Sequence, residues 1–431
     1  FKTIFANDIP YIIEAKYIMK ISLKLAASFF LILNFTSCIT REKYESLKLD
    51  FPKTIHLNLS ESTTDSLSLS DIAEKVEYIP LQSTDSSMMD YFFEFAIAKD
   101  YIFIQNGLQI LSFNKHGEFM KSLFKVGRGP EEASADCFAV DENGKLIYVL
   151  DQISRNIKIY GFDGRYISTS KKSISPTEYW TWSIGFFHDN LFVATAQNPK
   201  VKYLYSCFDL KSDSIRVIYK NYRNYNKLQE NKTLITPWDY SFQITDSTIL
   251  FKEKFCDTIF SVNSVFNNLP RYIIDLDKQK LEWEDWRDQG MFSFTSNIPN
   301  GYWVQSFTET ESFLFLVLIS RKGSELFSVY NKNSDLLKTF KRKQYERVYD
   351  QIYTRNDLDN LAAFPPMNRK GYMVYKNNCL YSVIEAKEFA NAYSKATEKT
   401  KKATKYLRGM APVFKDINEF SNPIIMKVYL K

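Results

Sequence analysis

The chain has 431 residues, 45% hydrophobic, 25% charged and 16% aromatic. That is enough apolar material for a large core, and the aromatic share favours pleated, half-buried surfaces over helices. The formal net charge is +6, and beyond residue 37 it falls to 52 basic against 48 acidic residues, too even for the basic stripe that nucleic-acid binding needs. His56, His116 and His188 are far apart, so a His-based metal site has little raw material, and neither a metal nor a cofactor is expected.

Residues 1–18 contain no Met and read as an extension upstream of a start at Met19. Lys20 and Lys24 then precede an apolar run from Leu25 to Phe35, interrupted by Ser28 and Asn34. A basic region, a short apolar region and small residues make a secretory signal over 19–37. The run is too short for a permanent bilayer span. Phe35-Thr36-Ser37-Cys38 resembles a bacterial lipobox, which implies lipidation of Cys38 and a membrane partner. Phe35 departs from the Leu-like residue usual there. Residues 38–64 are polar and weakly patterned and read as a tether. These features place the protein in the cell envelope, lipid-anchored, with the outer membrane as the expected location. Of the five cysteines, the four after Cys38 lie in apolar runs with no CxxC pair and read as buried thiols.

From about residue 65 a hairpin recurs. A short apolar strand meets a polar turn, and an aromatic-rich strand follows. The turns end at Asp100, Gly144, Asn190, Ser247, Ser312 and Asn378, at intervals of 44, 46, 57, 65 and 66 residues. Asn, Asp, Gly and Ser suit such turns because they tolerate left-handed backbone or bond their own main chain. Outer hairpins turn at Asn114–Gly117 and Phe162–Gly164. Units of this length with four strands each predict an all-β, six-bladed β-propeller over 65–431. A β-sandwich built of similar hairpins is the alternative. The sixth unit turns helical over Ala386–Arg408, and strand character returns at Pro423–Leu430. Val76–Leu81 is a spare strand near the other end. The two together are expected to complete the last blade and close the ring.

Residues 126–167 carry Val-Gly-Arg-Gly-Pro-Glu-Glu, Phe-Ala-Val-Asp-Glu-Asn-Gly, Ile-Tyr-Val-Leu-Asp and Phe-Asp-Gly-Arg-Tyr-Ile. This resembles an NHL-type blade. With the opening Leu69-Ser-Asp-Ile-Ala-Glu-Lys-Val-Glu-Tyr-Ile-Pro-Leu and the lipobox, the chain resembles the bacterial six-bladed β-propeller lipoproteins of unknown function. The resemblance is specific over about 70–170 and looser beyond 180. It implies a propeller exported on a lipid anchor, and no established reaction.

Loops entering each inner strand and loops joining second to third strands share one face, around the channel mouth. Entry segments here combine Pro with aromatics and include Trp180, Trp182, Trp238 and Trp303. They predict an aromatic mouth for a glycan or peptide, against the plainer reading that the rings wedge between blades. Arg128, Asp151 and Arg155 belong to the same face, although an Asp there can instead fix its loop through main-chain N–H groups. Gly127-Arg-Gly-Pro lacks the Lys and Ser/Thr of a phosphate loop and reads as a blade connection. The basic stretch Lys395–Arg408 reads as a solvated helix face. No nucleophile elbow or HExxH occurs, and the adjacent pairs Glu131/Glu132 and Glu284/Asp285 are not placed to flank a bond. The expected function is a non-catalytic binding or scaffold module. The alternative is a glycan-processing enzyme with its site at the mouth.

Overall fold

The computed structural model describes residues 52–62, 66–90, 92–170, 181–195, 203–220, 240–245, 247–263, 266–281, 301–320, 325–341, 354–361, 373–395 and 417–431. Six antiparallel sheets succeed one another along the chain as the blades of a propeller. Blade 1 comprises Phe92–Ile97, Tyr101–Asn106, Gln109–Asn114 and Phe119–Ser122, and blade 2 Ala135–Asp141, Leu146–Asp151, Ile157–Gly161 and Tyr166–Thr169. Blade 3 comprises Thr181–Phe187, Asn190–Thr195, Tyr203–Asp209 and Ser214–Lys220. Blade 4 comprises Tyr240–Ile244, Ile249–Glu253, Thr258–Val262 and Asn268–Asp275, and blade 5 Tyr302–Glu309, Phe313–Ser320, Glu325–Asn331 and Leu336–Lys341. Blade 6 is Met373–Lys376, Cys379–Ile384, Ile424–Leu430 and, from the other end of the domain, Ala73–Pro80.

The turns follow from their residues. His188 and Asp189, and likewise Asn377 and Asn378, all have positive φ. Two such residues in succession make the tight hairpin whose twist matches its strands, and Asn and Asp adopt that backbone at least cost.

Second strands are nearly continuous in apolar residues because both their faces are covered. In Phe313–Ser320, Leu314, Leu316 and Leu318 pack toward blade 4, while Phe313, Phe315 and Val317 pack toward blade 6. Successive side chains point to opposite faces, so one strand serves two interfaces. The same division yields six hydrophobic clusters, one in each space between neighbouring blades. Each large side chain so buried contributes about 1.5–3 kcal/mol.

Ala73–Pro80 pairs antiparallel with Ile424–Leu430, from Ile424↔Pro80 to Val428↔Val76 and Leu430↔Ala73. This is the closure expected from the sequence. The chain leaves Pro80 and at once contacts blade 1, where the Gln82 N–H donates to the Gly117 carbonyl at 2.8 Å. Gly117 has φ +86°, and a Cβ there would lie 2.1 Å from the Pro80 carbonyl oxygen.

The folded part begins earlier than the tether reading places it. Lys53–His56 pairs in parallel with the outer strand of blade 4, as a fifth strand. Ile55, Leu57 and Leu59 are buried with Tyr272 and Ile274. Their alternation with Thr54, His56 and Asn58 is a strand pattern, short enough to pass for polar linker. At the other end of the last blade, a helix covers Ala386–Lys395; the remainder of the expected helical stretch, to Arg408, lies outside the described residues.

Blades 4 and 5 are also joined by charge. Glu309, 7% exposed, accepts from Arg271 through both carboxylate oxygens at 2.9 and 2.8 Å, from the Tyr272 hydroxyl at 2.6 Å and from Lys332 at 3.1 Å. Burial alone would raise its pKa. The hydrogen bond and charge of Arg271, then Tyr272 and the charge of Lys332, outweigh burial and hold the carboxyl below its ordinary value.

Two outcomes are expected. Gly117→Ala should cost about 1–3 kcal/mol in urea unfolding, since the left-handed backbone and the Pro80 carbonyl both oppose a side chain. Glu309 has a depressed pKa in the folded state, so its stabilisation is present above the unfolded value of 4.5 and is lost as pH falls through the lower folded value. Wild type should therefore lose stability as pH falls from the unfolded value through the lower folded one, and Glu309→Gln should show a flatter loss in thermal scans taken across that interval.

Candidate functional site

The best-defined part of the mouth lies above blades 1 and 2, and its base is a buried lysine. Lys158, on the third strand of blade 2, is 6% exposed. Its ammonium donates to the carbonyls of Gly129, at 3.1 Å, and Glu132. The Tyr160 hydroxyl, two residues on, donates to the Glu131 carbonyl at 3.1 Å. The Gly127–Glu132 loop is thus wrapped around one cation, which satisfies its main-chain acceptors away from water. Glu132 turns back to accept from the Gly129 N–H at 2.9 Å. A Cβ at Gly127 would lie 2.0 Å from that carboxylate. The Gly-Arg-Gly-Pro motif is therefore a clasp between blades, and it leaves Arg128 exposed at the surface.

Asp151 ends the second strand of blade 2 and is 2% exposed. It accepts from the Ser134 N–H and the Ser154 N–H, both at 2.8 Å. It fixes the entry loop to the second-to-third-strand turn, the structural one of the two roles read from the sequence. Asn106 holds the matching place in blade 1 and donates to the Met88 carbonyl at 3.2 Å.

Arg155 lies in the turn that Asp151 pins, with φ +60°. That left-handed backbone is unfavourable for a residue with a Cβ. Its N–H donates to the Asp151 carbonyl at 2.8 Å, and its guanidinium meets the Asp136 carboxylate at 2.7 Å. Asp136 sits beside Glu94, which is 8% exposed and accepts from the Phe138 N–H at 2.9 Å. Burial raises the Asp136 pKa, Arg155 opposes the shift through its charge and hydrogen bond, and the Glu94 charge adds to it; the net direction is upward.

Asp136 reaches this position through a backbone irregularity that recurs around the ring. In blade 2, Ala135 pairs with Asp151 and Cys137 with Leu150, which leaves Asp136 as an extra residue. The same skip leaves Phe93 extra in blade 1, Trp182 in blade 3 and Gln305 in blade 5. Each is a β-bulge on an innermost strand, and bulges at such rims re-aim side chains and interrupt pairing. Phe93 is 54% exposed as a result. Gln105, opposite the blade 1 bulge, donates to the carbonyls of Ala135 and Asp136, at 3.1 and 3.3 Å, and so ties the two bulged strands together.

The four tryptophans fare differently. Trp303 is 7% exposed and packs on Phe255 and Leu281, with its indole N–H donating to Gln305 at 2.7 Å and the Lys254 ammonium 5.4 Å from its ring. It wedges between blades 4 and 5. The crevice beside it has room for no more than about one water-sized group, far too little for a ligand. Trp182 lies on an innermost strand at its bulge. Trp180 and Trp238 lie outside the described residues, as does Cys38. The structure therefore brings Asp136, Arg155 and Asp151 together, leaves Arg128 exposed on the entry loop, and sets Trp303 apart in the packing.

Sequence reasoning missed Glu94, Asp136 and Lys158. The signals were a Glu inside Phe-Phe-Glu-Phe and a Lys inside Ile-Lys-Ile-Tyr, each a charge at an inner position of an apolar strand. Among the described residues no group of His, Cys, Asp and Glu side chains is placed to hold a metal. Cys137, Cys207 and Cys379 are buried and Cys256 is half-buried, with no disulfide. Burial pushes the Cys207 thiol up to about 12, which makes it inert.

A family model for a domain of unknown function, DUF4934, matches residues 52–429. The chain belongs to the DUF4934 family. The match begins at the fifth strand of blade 4 and ends within the closing pair of blade 6, so the family unit is the whole propeller. No curated protein matches the chain. Among solved structures, it is similar to a protein of Bacteroides fragilis described as a putative exported protein, with 14% identity, 88% of this chain and 99% of that one covered, and a TM-score of 0.59. A member of the DUF4221 family from Bacteroides vulgatus matches with 10% identity, 86% and 99% coverage and a TM-score of 0.43. At 14% identity, the first likeness speaks to the fold of this DUF4934 member.

The wedge role of Trp303 predicts a stability effect. Trp303→Ala should cost about 3–5 kcal/mol in denaturant unfolding, the range for emptying a packed aromatic site.

Proposed function

We propose that this DUF4934 protein is a lipid-anchored, extracytoplasmic binding module whose ligand surface is the channel mouth above blades 1 and 2. The observation that carries the reading is the bulge at Asp136. It turns a carboxylate out of an inner strand against Arg155, and the bulge of the neighbouring blade carries the exposed Phe93. A charged pair and an aromatic face, held on rigid strands, are a recognition surface in the sense that fixed geometry lowers the ordering cost of binding. The anchor rests on Lys20, Lys24, the apolar run and Cys38 of the sequence. The exported description of the Bacteroides fragilis protein is consistent with it. A glycan or a polypeptide would suit such a surface.

A hydrolytic reading draws on one observation, the raised pKa of Asp136 beside Glu94. Both carboxylates are already engaged, Asp136 by Arg155 and Glu94 by the Phe138 N–H. That suits positioning better than proton transfer.

The test joins glycan and peptide arrays with Asp136→Asn and Arg155→Ala variants of the full chain. Binding by wild type and a loss of about tenfold in both variants is expected, the scale of one charge-assisted hydrogen bond. Unchanged affinity in both would remove this mouth from consideration. Release of oligosaccharide fragments that stops in Glu94→Gln would favour the hydrolase. For the anchor, Cys38→Ser should move the protein from the membrane fraction to the soluble one, and membrane association that survives the change would sink that part.

A further inference from the structure

Large apolar side chains left exposed are unevenly placed. Met120, Ile167, Ile215 and Leu336 stand one to a blade on outer strands, the scattered pattern that needs no explanation. Met88, Phe93, Leu108, Val126 and Ile153 do not. All five lie at the mouth end of blades 1 and 2, and each is between 41% and 54% exposed.

Hydrogen bonds and a β-bridge set four of these five side by side. The Met88 carbonyl accepts from Asn106 at 3.2 Å, and the Leu108 carbonyl accepts from the Ala135 N–H at 2.8 Å. Val126 bridges to Ala133, and the Gln152 N–H, next to Ile153, donates to the Ser134 carbonyl at 2.7 Å. Residues 133–135 thus hold the segments that carry Leu108, Val126 and Ile153, Asn106 holds the one that carries Met88, and Phe93 stands on the bulge of the blade 1 inner strand.

The charges around the surface have a sign. Asp85, Asp90 and Glu131 are exposed carboxylates, and Arg128 is an exposed guanidinium. None of the four has an ion pair among the described residues, whereas Lys125 is paired with Glu132 and Arg155 with Asp136. Among the described residues the unpaired excess is acidic, on a chain whose net charge is +6.

We infer that this surface docks a polypeptide segment that carries apolar side chains next to Lys or Arg. The inference rests on the binding reading above and names its ligand class. Methionine, leucine, valine and isoleucine match aliphatic side chains. They lack the hydroxyl and indole donors with which Tyr and Trp would hold a sugar ring. The acidic excess complements a basic segment and repels anionic lipid or anionic glycan. Phe93, 54% exposed on the blade 1 bulge, offers a ring face over which a cationic head is favoured.

The experiment pans a phage-displayed library of short random peptides on the full chain, followed by affinity measurement on the selected peptides. Selected sequences should combine Leu, Ile or Phe with Lys or Arg, and their binding should weaken as salt is raised. Leu108→Asp and Ile153→Asp, both surface changes, should each weaken them about tenfold or more. Met120→Asp, on the perimeter of blade 1, should leave them unchanged and serves as the control for fold. Selected peptides that bind the Leu108 and Ile153 variants as well as wild type would overturn the inference, as would no enrichment at all. In the latter case, a glycan that binds wild type and fails on Asp136→Asn would leave the mouth reading standing and remove only the polypeptide. Absence of both peptide and glycan binding would remove the mouth reading with it.

Discussion

The pairing of Ala73–Pro80 with Ile424–Leu430 is the constraint on which everything else in this molecule rests. A propeller blade is covered on both faces only if the ring is complete. Were the last sheet to lack its outer strand, blade 6 would expose Val428 and Met426, and the cluster it shares with blade 1 would open. The two strands are separated by the rest of the domain, so the ring closes only after every blade between them exists. Contacts of such sequence separation form late and slowly. The mouth depends on this closure directly, since Asn422, just ahead of the closing strand, accepts from the Met89 N–H at 3.0 Å.

Within that ring, geometry at the mouth is set by polar groups that the core could not otherwise tolerate. Lys158 is buried because three consecutive features of the Gly127–Glu132 loop, its carbonyls, its tight glycines and the returning Glu132, surround it. Asp151 is buried because two main-chain N–H groups meet it. Each would be costly unpaired. Together they hold the two loops that carry Arg128 and Arg155, so the surface groups ride on a base that does not reorganise.

Much of this was legible in the sequence. The hairpin turns are written in residues that accept positive φ, such as Asn377 and Asn378, and the doubly buried second strands are written as unbroken apolar runs such as Phe313–Ile319. The closing strands were legible because each was left over at one end. What escaped was whatever depends on register. A bulge is one extra residue, and Asp136 in Ala-Asp-Cys-Phe looks no different from an ordinary outward Asp until its partner strand is counted against it. The strand Lys53–His56 escaped for a related reason: its alternation spans few residues and its partner lies in blade 4, far along the chain. Trp303 was rightly read as an aromatic at an entry segment, but its indole partner Gln305 is itself a bulged residue, and only the fold reveals that the ring turns inward.

The fifth strand of blade 4 carries one more consequence. Lys53–His56 runs parallel to Asn268–Asp275 and lies immediately after the segment that precedes the folded domain. Lys53 adds an ion pair to Asp335 on blade 5, at 3.0 Å, so the strand is fastened to two neighbouring blades. Blades 4 and 5 stand across the ring from blades 1 and 2, so the family unit begins on the perimeter opposite the blades that carry the proposed surface.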